Sequence, residues 1–348
     1  MAPDQMSRYI FQGLMNTPKC FPAFALFEGQ GSALYNAKAS IEAYYPRWAE
    51  VDALQSHADQ VARLLAAEYA QTGRNINIIE LGVGDGQKMY LLMQALADEG
   101  LLEHTTYRPI DHSASALSEI LRTVSGWEFP VSVAPVNATF CEMGQHIKAA
   151  EHEINLVVWL GSTIGYLTSS QRYSMMDTLY EQLNPGDYLL VGLDLKKSPE
   201  RIREAYCSEP NPAFFLNAIH VINHHLGLQL QAGDFRHVFD YNDESGEAFS
   251  RLQCQRDILC ECGGYQFHFA KGESLYVCSH HKFTLDSFCT LMQFHGFEPR
   301  ITIQDNDCLI ADCLTQRSRK RVPLRDATNA LKDIANIVMG SPFDIASF

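Results

Sequence analysis

Asn77-Ile78-Ile79-Glu80-Leu81-Gly82-Val83-Gly84-Asp85-Gly86-Gln87-Lys88 sets a glycine-rich turn directly between an apolar strand and a helix. Residues 77–81 form the short apolar run that a buried parallel strand needs. Met89, Leu92, Met93 and Leu96 then recur at i, i+3, i+4 and i+7, the spacing of an amphipathic helix. Gly82, Gly84 and Gly86 occupy the switch between the two. Without Cβ atoms they permit positive φ and let a ligand lie against the unpaired amides of a helix N-terminus. The stretch predicts the first strand-to-helix turn of a doubly wound α/β sheet.

A dinucleotide fingerprint reads Gly-x-Gly-x-x-Gly, with a pyrophosphate resting on the helix dipole. This loop reads Glu-x-Gly-x-Gly-x-Gly from Glu80. An acid at its head repels a pyrophosphate but suits a cationic sulfonium and its amino group, so S-adenosylmethionine fits better than NAD. Tyr107-Arg108-Pro109-Ile110-Asp111 predicts the next strand, ending in a carboxylate placed to accept both ribose hydroxyls. A glycine-rich turn alone is also compatible with a merely tight connection; Asp111 favours a ligand.

The 348 residues can hold one large domain or two of ordinary size, and 46% hydrophobic content is enough for proper cores. Forty-one acids against 27 bases give a net charge of −14, which argues against nucleic-acid and anionic-membrane surfaces. Residues 1–7 lack a basic and apolar leader pattern, and no apolar run approaches the roughly 20 residues of a membrane span. The expected location is the cytoplasm, with the ten cysteines as reduced thiols.

Residues 60–195 alternate strand and helix. Ile154 to Leu160 and Asp187 to Asp194 read as buried parallel strands, the second introduced by Asn184-Pro185-Gly186, and Ser169 to Leu183 as a helix with Ser169-Ser170 as its cap. A helix from about Leu285 to His295 leads into a hairpin, Glu298 to Gln304 and Cys308 to Leu314, turning at Asp305-Asn306-Asp307. The expected division is residues 1–60 plus 196–283 as a substrate-binding domain and 61–195 plus 284–316 as the cofactor-binding sheet. Residues 317–348 form a tail with a basic run, Arg317 to Arg321, read as a solvated patch, and a helix from Leu324 to Val338.

In this order the chain up to about residue 315 resembles the histidine-specific methyltransferase family, the EgtD-like enzymes that make betaines from amino acids. The resemblance is carried by the glycine loop, Gly31-Ser32-Ala33-Leu34-Tyr35, Glu42-Ala43-Tyr44-Tyr45-Pro46-Arg47, Trp159-Leu160-Gly161-Ser162-Thr163-Ile164-Gly165, Asp194-Leu195-Lys196-Lys197, Glu204-Ala205-Tyr206, and Asn217 with Val221 to Gly227. It implies a Rossmann-like class I methyltransferase sheet with an inserted α+β substrate-binding domain. It further implies that S-adenosylmethionine is held by Glu80, Gly82, Gly84, Gly86, Lys88, Asp111, Thr139, Phe140, Gly161 and Ser162. A small amino acid or amino-acid-derived amine is then held by Tyr44, Tyr166, Tyr206, Asn217, Cys278 and His280. Tyr44 and Tyr206 are the implied catalytic pair, Tyr44 on the substrate amino group and Tyr206 on its carboxylate. Without the family pattern, both rings would be read as packing at a domain interface.

Methyl transfer from a sulfonium mainly needs a neutral amine aligned with the S-methyl axis and water excluded. The departures from the family pattern bear on which amine. Tyr166 stands where the family has a carboxylate-binding asparagine, Cys278 and His280 stand where a glutamate and a serine grip imidazole, Phe27 replaces a tyrosine, and Thr139 replaces an adenine-contacting acid. The acceptor is therefore expected not to be histidine itself. A catalytically silent binding protein of the same fold is the alternative, disfavoured by the intact Glu80, glycines and Asp111. Methylation of a protein or nucleic acid sits poorly with the acidic composition. Cys254, Cys260, Cys262, Cys278, His280 and His281 fit no common zinc spacing, so no metal is expected, and His220, His224 and His225 read as solvated or core-edge residues of a helix.

Overall fold

The computed structural model describes residues 5–138, 142, 146–147 and 152–320. Thr139, Phe140 and the expected tail helix from Leu324 to Val338 lie outside the described residues. The strands run β1 (Ile76–Leu81), β2 (Thr105–Asp111), β3 (Ser132–Val133), β4 (Val136–Asn137), β5 (Ile154–Trp159), β6 (Tyr188–Asp194) and β7 (Phe235–Asn242). They continue with β8 (Glu247–Cys254), β9 (Ile258–Cys262), β10 (Tyr265–Phe269), β11 (Ser274–Ser279), β12 (Phe297–Gln304) and β13 (Ile310–Arg317).

The large sheet is ordered β12-β13-β6-β5-β1-β2-β3, with β4 also paired to β2. Neighbours β2, β1, β5 and β6 are parallel, whereas β13 runs antiparallel to both β6 and β12. This is the doubly wound Rossmann-like α/β sheet, closed by the reversed hairpin, that the sequence predicts. Every residue of β1, β5 and β6 is buried, as strands covered on both faces require. Helix Gln87–Asp98 packs Met89, Leu92, Met93 and Leu96 on that core, each worth about 1.5–3 kcal/mol of transfer free energy when fully buried.

Two local readings change. The helix Ser169–Gln182 is capped by Thr168, which forms a capping box with Gln171, while Ser169 is buried and accepts from Arg172. Arg317 is not part of a solvated patch. It belongs to β13, donates to the Tyr180 carbonyl at 3.0 Å and stacks over the Tyr180 ring.

The alternation breaks at the end of β6. Leu195 and Phe283 form a bridge, so the chain leaves the sheet and returns to it at one point. Between them lie helices Pro199–Cys207 and Asn211–Leu226, the antiparallel sheet β11-β8-β7 and the hairpin β9-β10. Helices Gln5–Met15 and Gly31–Ala39 pack on the same apolar cluster through Ile10, Leu14 and Leu34. A division at residue 60 would cut the single helix Tyr45–Thr72, whose Ala53 to Leu65 stripe packs on the large sheet, so we place the boundary ahead of Tyr45. No helix among the described residues is long and apolar enough to cross a membrane.

Candidate functional site

The C-terminal ends of β1, β2, β5 and β6 gather four features of the sequence: the glycine loop, Asp111, the Gly161-Ser162 turn and Asp194. This is where open α/β sheets hold ligands. Gly82 and Gly84 take φ of 80° and 51°, and a Cβ on either would meet nothing within 4 Å. Their backbone therefore borders open space. Gly86 differs: its Cβ would lie 2.5 Å from Ile120 Cδ1, so it serves close helix packing.

Asp111 accepts from the Val83 amide at 3.2 Å and the Ser113 amide at 2.8 Å. Burial would raise its carboxyl, but His112 and these amides outweigh it and hold it below the usual range. An ionised acceptor thus stands beside the glycine loop, which fits a ribose diol. Glu80 is buried at the end of β1. Its carboxyl accepts from the Tyr107 hydroxyl of the adjacent strand, and burial pushes it up to about 8 against the lowering effects of Tyr107 and Lys88. The Tyr107 hydroxyl thereby ties the end of β1 to β2 beside the glycine loop.

The turn after β5 is strained. Gly161 has φ of 77°, and Ser162, a non-glycine residue, has φ of 55° with its buried hydroxyl lacking a hydrogen-bond partner among the described residues. Glu50 supports the turn from below, accepting from the Gly161 amide at 2.7 Å and pairing with Lys88. Lys88 Nζ lies beside Gly161, 3.4 Å from where its Cβ would stand. Arg47 reaches back to the glycine loop, donating to Asp85 at 2.7 Å and Gln87 at 3.0 Å.

Across the turn lies a narrow pocket lined by Tyr44, Gly161, Ser162, Tyr166, Tyr206 and His280, with Asp194 and Lys282 at its side. Tyr44 meets Tyr206 edge to face at 5.7 Å between centroids, and His280 packs against Tyr206 at 4.7 Å and Tyr166 at 5.4 Å. Burial raises the Tyr44, Tyr166 and Tyr206 phenols well above their ordinary value and lowers His280 well below its own. All four are uncharged near neutral pH.

Asp194 ties the pocket to the sheet. Its carboxylate receives Lys282 Nζ at 2.5 Å, Lys197 Nζ at 2.6 Å, the Tyr45 hydroxyl at 2.8 Å and the Tyr206 hydroxyl at 3.3 Å. Lys282 also donates to the Tyr206 hydroxyl at 2.7 Å. Burial would raise Asp194, but Lys197 and Lys282 together hold it below its usual range.

Of the residues singled out from the sequence, Tyr44, Tyr166, Tyr206, His280, Gly161 and Ser162 come together at this pocket. Asn217 does not. Its side-chain amide donates to the carbonyls of Leu26 and Glu28 at 2.8 and 2.9 Å, so it braces the chain entering helix Gly31–Ala39. Cys278 sits behind His280, its Sγ 4.0 Å from Nδ1, with its thiol pushed up to about 12 by burial. Sequence reasoning gave no role to Glu50, Asp194, Lys282 or Lys38. Two of these carried a signal: Glu50 is an acid inside the buried stripe of its helix, and Asp194 is an acid at the end of an apolar strand.

A family model for "Histidine-specific methyltransferase, SAM-dependent" (SAM, S-adenosylmethionine) matches residues 6–317. The chain is 30% identical over 279 residues to a histidine N-alpha-methyltransferase of Mycolicibacterium smegmatis, covering 79% of this chain and 83% of that one. It is 25% identical over 299 residues to the L-tryptophan methyltransferase trpM of Psilocybe serbica, covering 79% and 82%. A 4-dimethylallyltryptophan N-methyltransferase, easF of Claviceps fusiformis, is 29% identical over 225 residues, 62% of this chain and 61% of that one.

Proposed function

The chain belongs to the histidine-specific, S-adenosylmethionine-dependent methyltransferase family and is an S-adenosylmethionine-dependent methyltransferase, and from that premise we propose that it methylates the amino group of an amino acid other than histidine. One observation carries this reading: the Gly161-Ser162 turn borders both the cofactor loop side and a pocket walled by uncharged aromatic rings. The relatives' names, which run from histidine to tryptophan derivatives, support an amino-acid amine as acceptor.

Bound S-adenosylmethionine supplies an electrophilic S-methyl group. The chain's own residues would do the rest. Gly82 and Gly84 leave backbone open to the nucleoside, Asp111 accepts from the ribose, and Lys88 with Glu50 sets the Gly161 turn that separates donor from acceptor. Tyr44 and Tyr206 would orient the acceptor as hydrogen-bonding phenols; as uncharged groups they are not proton-abstracting bases. Their rings, with Tyr166 and His280, exclude water and offer π faces to an amine that becomes more cationic as it is methylated. The nine described cysteines are free thiols, which suits a reducing compartment, and we place the reaction in the cytoplasm.

Incubation with methyl-labelled cofactor and a panel of amino acids and biogenic amines is expected to label an amino acid at its amino nitrogen. Label on no amine, with cofactor binding intact, would end the proposal. Asp111→Ala is expected to weaken S-adenosylhomocysteine binding by about 1–3 kcal/mol, the scale of hydrogen bonds to a charged acceptor. Calorimetry checks this, and unchanged affinity would remove Asp111 from the cofactor site.

A further inference from the structure

Lys38 is fully buried, and its Nζ has no hydrogen-bond partner among the described residues. Five aromatic rings surround it, with centroids at 4.4 Å for Tyr44, 5.0 Å for Phe214, 5.1 Å for Phe215, 5.4 Å for Tyr206 and 5.5 Å for Tyr35. A buried ammonium normally has a carboxylate beside it. Lys282 and Lys197 do, in Asp194. Lys38 does not. Its titratable neighbours cannot supply an anion, because burial keeps the Cys278 thiol undissociated and leaves His237 and His280 as neutral rings. Ring faces hold the amine in place without neutralising it.

We propose that Lys38 anchors a side-chain carboxylate of the methyl acceptor, which makes the acceptor an acidic amino acid of the aspartate or glutamate type; this rests on the amino-acid N-methyl transfer proposed above. Tyr44 and Tyr206 belong to both the Lys38 cage and the pocket lining, so these two rings are what separates Lys38 from the pocket. The pocket ends at Gly161 and Ser162 on the sheet side, and the cage ends at Phe214 and Phe215 of the inserted segment. An acceptor with its amino group toward the sheet carries its side chain toward Lys38. Burial lowers the Lys38 amine to about 7; an arriving carboxylate reverses that shift and fixes the proton on Nζ.

The test compares acid with amide. Wild-type enzyme is expected to turn over glutamate or aspartate about a hundredfold or more faster, in kcat/KM, than glutamine or asparagine, since an amide leaves the buried charge unpaired. Lys38→Met, close in length and apolar, is expected to erase that ratio, and Lys38→Arg to restore part of it. Equal rates for acid and amide in the wild type overturn the proposal, as does an acid preference that survives in Lys38→Met. Glutamine losing as much as glutamate in Lys38→Met would move the contact to the α-carboxylate and overturn the side-chain assignment. Glutarate, which has no amine, separates the two readings by calorimetry. Glutarate binding to the wild type but not to Lys38→Met, with no amine labelled in the panel, upholds the anion site and sinks amine methylation. A labelled amino acid with equal acid and amide rates does the reverse. If Lys38→Met does not fold, the wild-type acid-to-amide ratio decides alone.

Discussion

Replacing Asp194 with alanine is expected to lower the unfolding free energy by about 3–5 kcal/mol, because it strands two buried lysines that now share one carboxylate. The side chain of Lys282 is 1% exposed and that of Lys197 is 9% exposed, so neither can recover hydration in place. The Tyr45 and Tyr206 hydroxyls lose an acceptor at the same time. Denaturant titration should show a lower midpoint at an unchanged slope. A loss under about 1 kcal/mol would mean that the cluster contributes little net stability. The pH dependence has a definite sign. Asp194 titrates lower in the folded chain than in the unfolded one, so its contribution is complete above the ordinary aspartate range and disappears as the pH falls through the depressed folded value. Asp194→Ala should therefore be less acid-sensitive than the wild type, though less stable at neutral pH. Both lysines also shift down, since burial outweighs pairing on that side, which fits one carboxylate serving two cations.

Residues 76–111 were legible because their constraints are local. Three glycines require positive φ, an apolar run has the length of a covered strand, and a stripe at helical spacing has one place to go. The site's aromatic members were legible only through the family pattern, since nothing in Tyr44-Tyr45-Pro46 tells a pocket wall from a core ring. Tyr45 shows the difference: it is fully buried with its hydroxyl on Asp194, one residue from a pocket-lining tyrosine. Asn217 matched the pattern yet serves the backbone of residues 26 to 28, because a match in type does not say where an amide points. Lys38 left no trace in its own neighbourhood. Ala37-Lys38-Ala39 reads as an ordinary helix surface, and its burial comes from Tyr206, Phe214 and Phe215 in the inserted segment. The partner of Glu80 was hidden for a related reason: Tyr107 sits on the next strand, where Glu80 pairs in register with Pro109.

Free histidine is expected to be a poor acceptor, with a kcat/KM about a thousandfold or more below that of the preferred amino acid, the scale on which sites reject analogues that leave buried polar groups unpaired. The positions that the family resemblance assigns to the imidazole hold Cys278 and His280, an undissociated thiol and a neutral ring, each buried and facing the other. Neither supplies the negative charge that would select one imidazole proton state. His280 Nε2 is near Ser250 Oγ at 3.3 Å, and Tyr166 presents a ring and a neutral phenol where the resemblance expects a carboxylate-binding amide. Lys38 adds a repulsive element, since an imidazolium entering the cage would place two cations together with no anion between them. The penalty should grow as the pH falls toward 6, where both groups hold their protons more fully. Competition settles it: equimolar histidine and the preferred acceptor, incubated with labelled cofactor, should give labelled histidine only in traces. Comparable labelling of the two would show that 30% identity to a histidine methyltransferase preserved the acceptor chemistry as well as the fold, and that histidine binds without contacts at Cys278 and His280.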